Sequence, residues 1–509
     1  MSFNLSVIVR EAARRTPDHV AVIFDGGELT YRELDKQSDR VARNLLAEGL
    51  QRGGAVGLQL PNVPEFLVAF YGIIKAGGFM IPMNTLNKGP EIEYFLQLAG
   101  ADFLITDVSC ADEAHKGLTA AGANHLYVRG EGDLPEGARP FSDLLAGEDS
   151  GPDPFAATEP TDIAVLLYTS GTTGKPKGVK LTHFQLYMNA DAHRTSFNLD
   201  GNTVTIAVMP LFHALGLSGI LNATVLGGGA VRLLAKFDPT RVLEVIQSDK
   251  ATVLHGVPTM YHALLHHPER TSYDTSTLLA CGSAGAAIAA ELLDEIEKAL
   301  QVSITEMYGL TESGPLATAN VPGDRRAYSI GKPIWGTEVQ IWDDDGNRLP
   351  RGKDHVGEIV IRGHNEMGGY LHNDQATAEA FTGGWLHSGD LGYEDEDGFF
   401  FVVDRKKELI IRGGYNVYPR EIEEVLYQHP AVSEAAVIGK PNDRLGEEVA
   451  AFVALKPGFD PSPEEIIEFV KARVAAYKYP RTVTFLSELP KGPTGKILKR
   501  ELLDVESKA

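Results

Sequence analysis

Residues 168–178 read Tyr-Thr-Ser-Gly-Thr-Thr-Gly-Lys-Pro-Lys-Gly. They follow an apolar run, Ile163 to Leu167, that reads as a buried strand. Small hydroxyl residues (Thr169, Ser170, Thr172, Thr173) surround Gly171 and Gly174, and Lys175 and Lys177 come directly after. Glycine lets a backbone turn sharply and approach a ligand closely. Hydroxyls and bare N–H groups can form a concave nest for an anion, and the lysines add charge. The stretch is therefore a candidate phosphate-holding loop. It is not a Walker A loop, because Gly171 to Lys175 lacks the four-residue gap and the hydroxyl after the lysine. Composition alone fits an ordinary Gly/Thr surface turn equally well.

The order of these residues closely resembles the signature loop of the adenylate-forming superfamily: acyl-CoA synthetases, the adenylation domains of peptide synthetases, and firefly-type luciferases. Four further stretches keep the family's order. Tyr308-Gly-Leu-Thr-Glu312 resembles its second core motif. The resemblance implies that the Tyr308 ring packs on adenine, Thr311 contacts phosphate and Glu312 binds Mg²⁺. It also implies nucleotide contacts from Glu306, Met307, Gly309 and Leu310, and from Gly282-Ser283-Ala284. One carboxylate suffices for Mg²⁺, a hard cation that takes oxygen ligands and keeps several waters. Ser388-Gly389-Asp390 resembles the motif whose carboxylate accepts from the ribose hydroxyls, a device dinucleotide folds share. Arg405 matches the arginine that joins it, and Lys407 falls at the hinge. Lys491-Gly-Pro-Thr-Gly-Lys496 resembles the segment carrying the catalytic lysine. Gly413-Gly414-Tyr415-Asn-Val417 resembles the segment beside the pantetheine tunnel, which implies CoA contacts. Each stretch alone has a plainer reading: a helix-starting turn at 308–312, a solvated basic turn at 405–407, an exposed basic tail at 491–496.

The resemblance implies an ATP- and Mg²⁺-dependent ligase that converts a carboxylic acid to an acyl-adenylate and then passes the acyl group to CoA. A cation between two reacting anions offsets their repulsion, the role implied for Lys496. The acyl site is expected around Phe212, His213, Leu215, Val257, Tyr261, Gly309 and Leu316. His213 is assigned a catalytic part, with a satisfied structural histidine as the alternative. Gly282, Gly285, Gly309 and Gly314 are expected to leave room. No Arg or Lys stands among these positions, which argues against a dicarboxylate, and residues 214–219 offer no conspicuous polar partner for a phenol. An apolar pocket suits a medium or long alkyl chain, or else an aryl acid of the cinnamate type. Other acceptors (a carrier-protein thiol, an amine) keep the same first step. A nucleotide-binding regulator without turnover and a P-loop kinase are the remaining alternatives. Lys496 argues against the first and the loop spacing against the second.

Residues this far apart must be assembled by a fold. With 509 residues the chain needs more than one core. A hydrophobic content of 43% is that of a globular protein, and a net charge of −22 argues against a nucleic-acid partner. Two cysteines, Cys110 and Cys281, make no disulfide framework or metal motif, which suggests the cytoplasm. The most apolar stretch, Phe66 to Met83, contains Lys75 and Gly77-Gly78 and is too short and broken to span a bilayer. A monomer or a homodimer is expected.

Short apolar strands (Val20–Phe24, Val56–Leu60, Met80–Met83, Phe103–Thr106) alternate with amphipathic helices, which predicts α/β layers with largely parallel sheets. Thr30 to Glu33 is a capping box for the first of these helices. Residues 107–160 read as variable surface structure. Strand-like segments between Gly and Asp turns predict a β-rich subdomain over 337–404. The predicted organisation is thus a large N-terminal domain of layered α/β subdomains, residues 1–404. A small, mobile α+β C-terminal domain, residues 405–509, follows.

Overall fold

The structure, a computed structural model, describes residues 2–149, 151–169, 176–286, 288, 290–321, 323–442, 444–492 and 496–506. Two mainly parallel sheets dominate it. One has seven strands in the order Arg139–Pro140, His125–Arg129, Phe103–Asp107, Ala55–Gln59, Phe79–Pro82, Ile163–Thr169, Lys177–Thr182, all parallel except the last pair. The other has nine strands. Its parallel centre runs Ile304–Tyr308, Ala280–Ser283, Val253–Gly256, Val204–Ala207, Ala230–Leu233, Val20–Phe24, with antiparallel strands at both edges.

Parallel sheets must be covered on both faces, and the sequence supplies the cover. The helix Tyr31–Ala47 buries Leu34, Val41 and Leu45, and its Thr30–Glu33 capping box forms as expected. The helix Pro64–Lys75 is apolar on every face beyond Glu65 and buried from Phe66 to Lys75, the signature of an inner layer. A single core joins it to both sheets, taking in Val22 and Val231 of one and Val56 and Val165 of the other. Lys75, the one charge on this helix's inner turns, is buried with its Nζ 2.7 Å from Asp39 and 2.8 Å from the Asp35 carbonyl oxygen.

Residues 107–160 depart from the expected surface structure. They form the helix Ala111–Ala121, the strand His125–Arg129 and a short helical turn at Phe141–Leu145. Leu126, Tyr127 and Val128 are buried in the seven-stranded sheet. Gly, Ala and Asp in this stretch serve as helix caps and close contacts rather than as loop. Leu215–Asn222 is likewise helical, wound wide in π geometry, and continues as the helix Ala223–Gly227. Its Gly216 is there for close approach, since a β-carbon would fall 2.1 Å from the Pro210 carbonyl oxygen.

Residues Thr337–Arg405 make a separate five-stranded antiparallel sheet. The chain then turns through exposed Lys406 and Lys407 into a last sheet built from Ile410–Arg412, Tyr415–Val417, Val432–Asn442, Gly446–Leu455 and Thr482–Leu486. Helices Pro419–Tyr427 and Pro463–Lys471 pack into the same small core. Among the described residues no helix is long and apolar enough to cross a membrane.

Candidate active site

Four parallel strands of the nine-stranded sheet end side by side, and the residues just beyond them (Met209, Val257–Thr259, Ser283–Ala286, Tyr308–Thr311) line a cavity of about 470 Å³. The crevice outside the carboxyl ends of parallel strands is where open α/β sheets bind ligands. The opposite wall comes from the small C-terminal sheet and its helices, and includes Arg420, Glu423, Tyr427, Lys496 and Lys499.

Asp390, Arg405 and Tyr308 form a connected polar cluster. The Tyr308 hydroxyl donates to Asp390 Oδ2 at 2.7 Å, and Arg405 Nε sits 3.1 Å from Asp390 Oδ1. Burial, with the Asp390 charge beside it, raises the Tyr308 phenol well above its usual range, so it stays a donor. The antiparallel pair Trp385–Glu394 and Phe400–Arg405 sets Asp390 directly opposite Arg405.

Lys496 lines the same cavity. Burial, and then the Arg405 charge, pull its pKa below the ordinary lysine value, while Glu408 and Asp390 oppose that pull. Nearby Lys499 goes the other way. Burial disfavours its charge, but Glu423 at 2.7 Å and Glu408 at 3.2 Å more than offset this and raise its pKa. Glu306, on the strand leading to Tyr308, is buried and its carboxyl is pushed up to about 7 by desolvation. Its Oε2 accepts the Tyr328 N–H at 2.8 Å.

Glu306, Met307, Tyr308, Gly309, Leu310, Thr311, Ser283, Ala284, Asp390, Arg405 and Lys496 thus share one cavity, together with His213, Leu215, Val257 and Leu316. Ser170, Gly171, Thr172, Thr173, Gly174 and Lys175 lie outside the described residues. The flanking residues Thr169 and Lys177 pair across two antiparallel strands. Glu312 points to this side: its Oε1 accepts the Tyr370 hydroxyl at 2.9 Å, and Lys177 Nζ lies 4.9 Å from the Tyr370 ring centre.

Three expectations for the acyl site fail. Tyr261 does not reach the cavity. It lies on the helix Pro258–Leu265, fully buried in the core beneath the sheet, with its hydroxyl donating to the Gly282 carbonyl at 2.8 Å. Phe212 turns aside as well, its ring against His213 at 4.8 Å. Gly282 and Gly309 do not open space. A β-carbon at Gly282 would meet His255 Nδ1 at 2.4 Å, and one at Gly309 would meet the Pro315 carbonyl oxygen at 1.8 Å, so both glycines serve close packing. Gly413, Gly414 and Tyr415 stand on an exposed hairpin away from the cavity, with Tyr415 stacked on Tyr477 at 4.8 Å.

Sequence reasoning did not single out His193, Arg420, Glu408, Glu423 or Lys499. Each stands in a helix or turn without a motif of its own, and only packing brings them here. His213 and His193 are both on the cavity wall, and burial holds each near a pKa of about 4, hence neutral. No cluster of three or more His, Cys, Asp or Glu that could cage a metal occurs among the described residues. The single carboxylate of Glu312, a hard oxygen donor, suits a Mg²⁺ that arrives on a nucleotide phosphate and keeps its waters.

Fold and site together define a nucleotide-using α/β enzyme of the adenylate-forming type. The chain belongs to the AMP-binding enzyme family, which it matches over residues 9–371, with the family's C-terminal domain matched over 421–496. It is 37% identical to a long-chain-fatty-acid–CoA ligase of Bacillus subtilis (strain 168), over 99% of this chain and 95% of that one. It is also 37% identical to a feruloyl-CoA synthase of Amycolatopsis sp, over 96% of each. Its fold superposes on the anthranilate CoA ligase AuaEII in complex with anthranoyl-AMP with a TM-score of 0.91, at 31% identity over 99% of this chain and 97% of that one.

Proposed function

We propose that this chain is an ATP-dependent acid–CoA ligase acting on a hydrophobic carboxylic acid. The observation that carries this reading is that Lys496, from near the end of the chain, enters the same cavity as Tyr308, Asp390 and Arg405. In the first step a carboxylate oxygen attacks the α-phosphorus of ATP and the bond to the leaving pyrophosphate breaks, giving an acyl-adenylate. Both reactants are anions, and the Lys496 ammonium stabilises the charge that builds between them. Asp390 accepts from the ribose hydroxyls, held in place by Tyr308 and Arg405. Glu312 would hold Mg²⁺, which when bound would supply positive charge to offset that of the phosphates. In the second step the sulfur of CoA attacks the acyl carbonyl, AMP leaves with the bonding electrons, and the thiol proton passes to solvent.

The exposed Gly413–Tyr415 hairpin would serve this second step only after residues 405–509 turn about Lys407. We read that segment as a unit moving between the half-reactions, a closure that also shields the adenylate from water. One chain contributes every residue used here, so a monomer suffices for the chemistry. We place the reaction in the cytoplasm, where ATP and CoA meet. The test is pyrophosphate release with ATP-Mg across acids from acetate to palmitate, benzoate, cinnamates and malonate, with and without CoA. Turnover that needs CoA and peaks with one hydrophobic class supports the reading. Release indifferent to CoA moves the acceptor to a carrier thiol or an amine.

A further inference from the structure

We propose that Asp404 and Arg420 clasp the C-terminal segment across the turn at Lys407 and hold it in the pose that brings Lys496 to the nucleotide cavity. Both are positioning residues for the adenylation step. This rests on the reading of residues 405–509 as a unit that turns about Lys407, and it names the contacts that turning must break.

The helix Pro419–Tyr427 has no side-chain cap from its own N-cap residue, Tyr418. Pro419, at its first position, carries no N–H. The first donor of the helix is therefore the Arg420 N–H, and it is met from outside. Asp404 Oδ2 accepts it at 2.9 Å, from sixteen residues earlier in the chain. A carboxylate placed there also meets the positive end of the helix dipole. The Arg420 guanidinium reaches the same strand, its Nη1 donating to the Val402 carbonyl oxygen at 2.5 Å. Its Nε turns back to Glu424 at 3.1 Å, which fixes the guanidinium on its own helix.

Val402 and Asp404 are held in the five-stranded sheet, opposite Gly392 and Leu391. They come before Lys407 and Arg420 comes after it, so a turn about Lys407 breaks both contacts at once. The triad of Lys499, Glu423 and Glu408 lies wholly beyond Lys407 and travels with the segment. Asp404 is buried, which raises its carboxyl pKa, and the N–H groups of Arg420 and Arg405 oppose that rise. Losing the Arg420 N–H removes one of the two donors that favour the charged form, a cost that favours the clasped pose. Asp404, Arg420 and Lys496 all line the one cavity, so the clasp closes where Lys496 enters.

The experiment measures the two half-reactions separately, with decanoate and with cinnamate. One is acid-dependent ATP–pyrophosphate exchange; the other is conversion of the supplied acyl-adenylate to acyl-CoA. Each rate scales with the population of its own pose, so their ratio follows the equilibrium between the poses. Asp404→Ala and Arg420→Met should each lower the ratio of exchange to thioester formation by about fivefold, the change that one lost helix cap corresponds to. The double variant should lower it further, and Arg420→Lys, which keeps a cationic donor, should restore part of it. Residues that only stabilise the fold would move both half-reactions together. An unchanged ratio in both single variants therefore overturns the proposal, as does a loss of thioester formation with exchange intact. If Asp404→Ala does not fold, Arg420→Met decides alone, since that side chain is partly exposed. If the wild type carries out neither half-reaction with either acid, the ligase reading fails and the clasp with it. If it carries out both and the ratio holds in every variant, only the clasp fails.

Discussion

The Nζ of Lys499 lies 2.7 Å from a Glu423 carboxylate oxygen, at the junction between the small C-terminal sheet and the turn through Lys407. Its second partner, Glu408, follows that turn directly, at 3.2 Å. Lys499 stands three residues after Lys496, so this triad ties the segment bearing Lys496 to the turn we read as a hinge. Lys499→Met leaves two partly buried carboxylates without their cation. It should destabilise the region by about 2 kcal/mol, between the values for surface and fully buried pairs. We expect ATP–pyrophosphate exchange to slow while conversion of a supplied acyl-adenylate to acyl-CoA changes less, with Lys499→Arg restoring exchange. Equal loss in both half-reactions would mean the triad holds the fold and no more.

Lys496→Ala removes the only step-specific cation assigned to adenylation. Acid-dependent ATP–pyrophosphate exchange should fall by roughly 10²–10³, the range seen when one group stabilising developing charge is deleted. Thioester formation from supplied acyl-adenylate should continue. Exchange at the wild-type rate would remove Lys496 from the chemistry.

Asp390→Ala should raise the KM for ATP by roughly tenfold or more, since hydrogen bonds to a charged group contribute about 1.5–3 kcal/mol. Tyr308→Phe, which removes the 2.7 Å bond that orients this carboxylate, should shift KM in the same direction by less. An unchanged ATP dependence in Asp390→Ala would discard the ribose assignment.

Glu306 gives the pH dependence. Its carboxyl is raised from 4.5 to about 7 by burial. The folded state therefore holds this proton more tightly than the unfolded chain does. The resulting stability is complete below about 4.5 and is lost as pH rises toward about 7, at up to roughly 1.4 kcal/mol per pH unit. Glu306→Gln cannot titrate and should flatten that slope in chemical-denaturation measurements between pH 5 and pH 7. A slope identical to wild type would show that Glu306 is ionised throughout.

Much of the fold was legible in the sequence because local rules decide it. The Thr30–Glu33 capping box and the strand Val20–Phe24 follow from capping and periodicity within a few residues. The order of chemistry-bearing residues likewise pointed to Tyr308, Asp390, Arg405 and Lys496, which the fold gathers at one cavity. The sequence by itself could not say which side of a short helix faces that cavity. Tyr261 and Val257 are close in sequence, yet only Val257 reaches it: Val257 is the extended residue that precedes the helix Pro258–Leu265, whereas Tyr261 is packed beneath the sheet with its hydroxyl on the Leu254 and Gly282 carbonyls. Nor could it see that Gly282 makes way for His255. Those relations depend on which elements pack side by side, and only long-range burial of the two sheets and the helices between them sets that.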